Sequence, residues 1–149
     1  MAKKRHHVPP PSKKQGTKGI PPGALEVKKL RSTLRRKPSF RFSHVDPAKY
    51  GLQTVAGEQL RQLNQFFSKM EDRTWLQIQQ SGGHGRESGG LGYNPIDRKA
   101  LPALPESVPE DATICEVRVT HGARVFGHRD DNGVFYLVWF DPRHQLLKD

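Results

Sequence analysis

Apolar and polar residues change their period three times along this chain. Phe40-Arg-Phe-Ser-His-Val45 alternates, which predicts a strand with Phe40, Phe42 and His44 on one side; Asp46-Pro47 closes it as a turn. From 54 to 70 the period lengthens. Leu60, Leu63, Phe66 or Phe67, and Met70 recur at steps of three and four, with Glu58, Arg61, Gln62, Asn64, Gln65 and Lys69 between them. That is the spacing of an amphipathic helix. Asp72 to Thr74 interrupts it. Thr74 and Gln77 then form a capping-box pattern, in which a hydroxyl and a side-chain amide serve the free N–H groups of a helix start. The second helix turns Trp75 and Ile78 inward and ends at Ser81-Gly82-Gly83.

Two-residue alternation returns near the C-terminus. Ile114–Val119, Arg124–His128 and Val134–Phe140 predict three strands of a meander, joined by turns at His121-Gly122 and Asp130-Asp131-Asn132-Gly133. Asn132-Gly133 suits a type I′ hairpin turn. Cys115, Trp139 and Phe140 read most simply as core. Residues 81–92 hold six glycines in twelve and predict a loop; Pro95 to Pro109 carries four prolines and predicts an irregular or edge segment. The expected fold is α+β: two helices packed on a small antiparallel sheet that ends in a β-meander.

Charge divides the chain. Residues 1–41 hold 13 Lys/Arg and one acid, Glu26, while residues 42–149 hold 12 Lys/Arg and 14 acids; the net +10 is therefore +12 followed by −2. Residues 1–39, with prolines at 9–11 and 21–22, predict a flexible basic arm ahead of a domain at 40–149. Ala24 to Arg36 has the spacing for a short basic helix through Leu25, Leu30 and Leu34. Such an arm favours polyanions, nucleic acid first, because each neutralised phosphate releases counterions; a solubilising tail is the plainer reading. One cysteine excludes an intrachain disulfide and suggests a reducing cytoplasm. No apolar stretch approaches a membrane span, and no apolar run follows the N-terminal cations as in a signal peptide.

The meander holds the chemistry. Cations and imidazoles at Arg118, Arg124, His128, Arg129, Arg143 and His144 interleave with its apolar positions. Glu116 and Arg118 fall on one face of the first strand, and Arg124, Phe126 and His128 on one face of the second. Strand parity alone does not carry every cation outward, so a bulge or an aromatic floor is expected. Arg124, at a strand start beside a tight turn, could meet a phosphate in a bidentate way; its plainer reading is a surface cation paired with Asp130 or Asp131. His144, just past the last strand, could exchange a proton near neutral pH, or simply end the strand. Arg118, His128, Arg129, Arg143 and Lys148, with Lys28, Lys29, Arg35 and Arg36 on the arm, are the candidate nucleic-acid contacts. No nucleophile elbow, Cys-x-x-Cys or His-Glu-x-x-His occurs, so neither metal nor cofactor is expected.

From Phe40 on, the chain resembles the RelE/YoeB/ParE superfamily of small bacterial toxins. Ala123-Arg124-Val125-Phe126 is similar to the strand start whose arginine contacts the scissile phosphate in the ribonuclease members. His144 stands where YoeB-like members keep a histidine that acts as general acid. Asp141-Pro142-Arg143-His144 departs from the usual aromatic-flanked ending, and Gln145 replaces a tyrosine often found there. The resemblance implies a toxin that cuts mRNA without a metal, on the ribosome in many members, and a cognate antitoxin that covers the cationic surface. It also implies a glutamate base, for which Glu106 and Glu116 are the candidates. ParE members share the fold but inhibit gyrase, and a non-catalytic nucleic-acid-binding or ribosome-binding protein is the further alternative.

Overall fold

A computed structural model describes residues 22–81 and 91–147. The elements run α1 (Pro22–Leu34), β1 (Ser39–Arg41), α2 (Gly57–Glu71), α3 (Trp75–Gln80), β2 (Asn94–Pro95), β3 (Cys115–Arg118), β4 (Arg124–Arg129) and β5 (Val134–Asp141). The sheet order is β1-β5-β4-β3-β2. Among the described residues the fold is α+β, with three α-helices and one five-stranded sheet.

The sheet is mixed, not antiparallel as expected. β1 pairs parallel to β5, Phe40 opposite Phe135, while every other neighbouring pair is antiparallel. The reason is the connection. The link through α2 and α3 delivers the chain to β2, which runs opposite to β1, and the antiparallel step from β2 to β3 restores the direction of β1. The β3-β4-β5 meander then brings β5 back to that same direction. β1 is also shorter than the alternation suggested. Val45 N–H donates to Phe42 O (3.2 Å), turning the chain just past Arg41.

The helices form where periodicity placed them. α2 buries Leu63, Phe66 and Met70, but Leu60 lies outside the stripe and is exposed. At the head of α3, Thr74 and Gln77 make the reciprocal capping box. The basic helix expected over 24–36 is α1, with Pro22 at its first position, where the missing N–H costs nothing. This helix lies within the segment read as an arm; residues 1–21, and most of the glycine loop at 82–90, lie outside the described residues.

Two apolar clusters sandwich the sheet. Leu63, Phe66, Met70, Trp75 and Ile78 from the helices meet Val117, Val125, Phe135, Leu137 and Phe140. On the other face Phe126, Val138 and Trp139 are covered by Val108, Ile114 and Leu146. A bulge in β5 makes this two-sided arrangement possible. Phe126 pairs with Trp139 and Gly127 with Leu137, so Val138 is the extra residue. Beyond it the alternation is reset. Phe140 joins the helical cluster, while Trp139 packs edge-on against Phe126 on the second face. Of the two expected features, a bulge or an aromatic floor, the bulge is present.

The turn between β4 and β5 anchors the helical side. It is not type I′: Gly133 has φ +84, but Asn132 does not share the positive φ that type I′ requires. Asp130 N–H donates to Val134 O and Gly133 N–H to Asp130 O, the pattern of a three-residue loop with glycine in the left-handed position. The Asp130 carboxylate accepts from the N–H groups of Asn132 and Val134. The buried Trp75 indole donates to Gly133 O (2.8 Å). Thr33 of α1 donates to Asp131 O (2.7 Å), and Lys29 reaches the Asp131 carboxylate at 3.3 Å.

Candidate phosphodiester site

Three side chains from separate segments converge at the end of the sheet away from that turn. Arg124 opens β4, opposite Arg118 of β3 and Asp141 of β5. Glu116 lies two residues earlier on β3, on the same face as Arg118. Arg124 Nε donates to Glu116 Oε1 at 2.7 Å. Past β5, His144 Nε2 stands 3.6 Å from the same Glu116 oxygen, an ion-pair separation and longer than a hydrogen bond. The side chains of Arg124 and Glu116 are 10% and 13% exposed; that of His144 is 34% exposed. The imidazole is thus the member of the trio most open to solvent.

Arg124 pairs with neither Asp130 nor Asp131; its carboxylate partner is Glu116. Its Nη1 donates toward the carbonyls of Thr120 (2.8 Å), Ala123 (2.9 Å) and His121 (3.3 Å) around the β3–β4 turn. Among the described residues, only Nη2 is left without a hydrogen bond. A bidentate grip on a phosphate is therefore not what the guanidinium offers. It offers one N–H edge from a rigidly held cation, a fixed positive charge in a site with little water to screen it.

The C-terminal turn that carries His144 is tightly built. Asp141 is fully buried, and its carboxylate accepts from the N–H groups of Arg143 (3.2 Å), Gln145 (2.7 Å) and Leu146 (2.7 Å). His144 takes φ +53, a left-handed conformation uncommon for a residue with a side chain. Arg143 is exposed beside it. Sequence reasoning singled out His144 but not Asp141. An aspartate before proline at a strand end, with a short side chain able to accept backbone N–H groups, was the available signal.

No family model, curated protein or solved structure matches this chain. The site therefore rests on its own geometry. Of the two glutamates, Glu116 belongs to the cluster. Glu106 is exposed in the proline-rich segment, with no hydrogen bond or ion pair to Arg124 or His144 among the described residues. Arg118 shares the face of Arg124. Arg129 does not: it lies on the helical side, its guanidinium 5.1 Å above the Trp75 ring. Lys28, Lys29, Arg35 and Arg36 belong to the α1 region, which is fastened to the far turn; Lys148 lies outside the described residues.

His128 is engaged elsewhere. It is 5% exposed, stacks on Tyr136 with the rings 4° apart, and places Nε2 2.9 Å from His44 Nδ1. Burial and the charge of His44 lower its proton affinity, against an opposing pull from Asp130 and Asp111. At that distance one ring nitrogen donates and the other accepts. The imidazole expected at a phosphate is thus buried and engaged with His44 and Tyr136. Cys115 is buried as expected, and burial pushes its thiol up, away from thiolate chemistry.

Proposed function

We propose that this chain is a metal-independent endoribonuclease of the RelE-like toxin kind, acting on mRNA and held in check by a cognate antitoxin. The supporting observation is the convergence of Glu116, Arg124 and His144, a carboxylate, a guanidinium and an imidazole drawn from β3, β4 and the C-terminal turn. Transesterification of RNA needs those three functions and no more. The substrate's 2′-hydroxyl attacks the neighbouring phosphorus, and Glu116 accepts its proton. The free N–H edge of Arg124, with Arg118 beside it, steadies the added negative charge of the transition state. His144 gives a proton to the departing 5′-oxygen. The 3.6 Å contact between His144 and Glu116 is the substrate-free arrangement; the phosphate enters between them and opens it. The cations of α1 supply sequence-independent attraction at a distance from the chemistry.

Cleavage of mRNA by the purified chain in excess EDTA tests this reading. Products should end in 2′,3′-cyclic phosphates, and a 2′-deoxy nucleotide at the scissile position should block the cut. Arg124→Ala and His144→Ala should each abolish cleavage and relieve growth arrest on induced expression. Cleavage that survives in both variants, or that requires a divalent ion, sinks the assignment.

A second reading rests on how firmly Arg124 is tied down. With Nε and Nη1 both committed, the cluster also suits a structural network in a non-catalytic RNA-binding protein that grips through α1. That reading expects RNA binding by the wild type without cleavage, and binding unchanged in Arg124→Ala.

A further inference from the structure

We infer that Asp141 is the positioning residue of this site, fixing where the His144 imidazole stands relative to Glu116 and Arg124. Its three N–H partners belong to residues 143, 145 and 146, which bracket His144 on both sides. A carboxylate taking three backbone N–H groups folds the chain around itself, and these charge-assisted bonds are the strong ones. Asp141 is wholly excluded from water, so no solvent competes for those donors. Leu146, buried in the second apolar cluster, pins the far side of the same turn.

The turn imposes a conformation that His144 would not choose. A left-handed φ at a residue with a β-carbon persists only where its surroundings over-determine it. Glycine or asparagine is the ordinary occupant of such a position. Here the occupant is the imidazole that approaches Glu116. Asp141 is also the β5 residue opposite Arg124. One side chain therefore ties the histidine's turn to the strand pair that carries the arginine. Asp141 touches no substrate in this account; it acts through His144. Its kinetic consequence rests on the ribonuclease reading, whereas its geometric consequence does not.

The test follows the His144 imidazole by 15N-resolved NMR in the full chain, with and without Glu116→Gln. In the wild-type background Glu116→Gln should shift the His144 ring signals, because the two groups are neighbours. In Asp141→Ala the same substitution should leave them unmoved. Asp141→Asn should give a reduced response, since an amide oxygen still accepts from Gln145 and Leu146. A full wild-type response in folded Asp141→Ala overturns the inference. Should that variant not fold, a full response in Asp141→Asn overturns it instead. In RNA cleavage, both Asp141 variants should lower kcat, by on the order of 100-fold for Asp141→Ala, with KM little changed. A wild-type chain that cuts no RNA would remove the ribonuclease reading, yet the ring signals would still decide the role of Asp141.

Discussion

Glu116→Gln separates chemistry from scaffolding at this site. The side chain accepts from Arg124 Nε at 2.7 Å, in a place where both partners are nearly buried and water screens little. Glutamine keeps an oxygen for that bond and loses only the charge, a cost of about 1–2 kcal/mol. Alanine removes the partner and leaves a guanidinium charge unpaired at one edge, which costs about 3–5 kcal/mol. For a domain of this size each kcal/mol moves Tm by about 2–4 °C. Calorimetry should therefore place Glu116→Ala clearly below Glu116→Gln. Cleavage should not distinguish them: a proton acceptor contributes about 10²–10⁴-fold in rate, and both variants lack it. Equal losses of Tm would show that Arg124 does not depend on the carboxylate. Wild-type cleavage by Glu116→Gln would remove Glu116 from the chemistry.

Three further outcomes follow from other parts of the molecule. Burial depresses the proton affinity of His128 below its ordinary value of 6.5, so between that value and its folded pKa the unfolded chain binds more protons. Stability should hold above about pH 6.5 and fall as the solution is acidified through that window; urea midpoints should show it, and an equal slope in His128→Gln would refute the assignment. A β-carbon at Gly127 would run into Tyr136 O and stand 2.5 Å from the Phe135 ring edge, so Gly127→Ala should cost about 3 kcal/mol in urea unfolding. Replacing Lys28, Arg31 and Arg35 together with glutamine should weaken RNA binding and flatten its salt dependence by about 2 in log–log slope. An unchanged slope would mean that α1 does not contact phosphate.

Local pattern revealed what local forces build. The stripe of α2, the Thr74–Gln77 cap and the three meander strands were all legible, because side-chain period and capping chemistry are properties of a few neighbouring residues. Glu116, Arg124 and His144 were legible one by one, but strand parity gave each of the first two only a face of its own strand. What the pattern could not carry is pairing across distance. The parallel docking of β1, the His44–His128 contact and the bond from the Trp139 indole to Asp46 join residues far apart in the chain. Nothing in the local alternation around His128 distinguishes a histidine held by another histidine from one facing solvent. The turn type at Asn132-Gly133 was misread for a related reason. The Asp130 side chain and Thr33 and Trp75, from distant helices, settle the backbone there.

The parallel pairing of β1 with β5 also governs how this chain reaches its native state. β1 is made before the helices α2 and α3, but the strand that completes its hydrogen bonds follows them and three further strands. Asp46 must likewise wait for Trp139, 93 residues further on. Both apolar clusters need β5 as well, Phe135 and Leu137 for one and Val138 and Trp139 for the other. Contacts of such long sequence separation incur loop-closure entropy before any stabilisation arrives, which slows folding. Until residue 141 has left the ribosome, the helices have no sheet to cover. Folding of this unit therefore waits for β5, and the Glu116–Arg124–His144 cluster assembles only once that strand is in place.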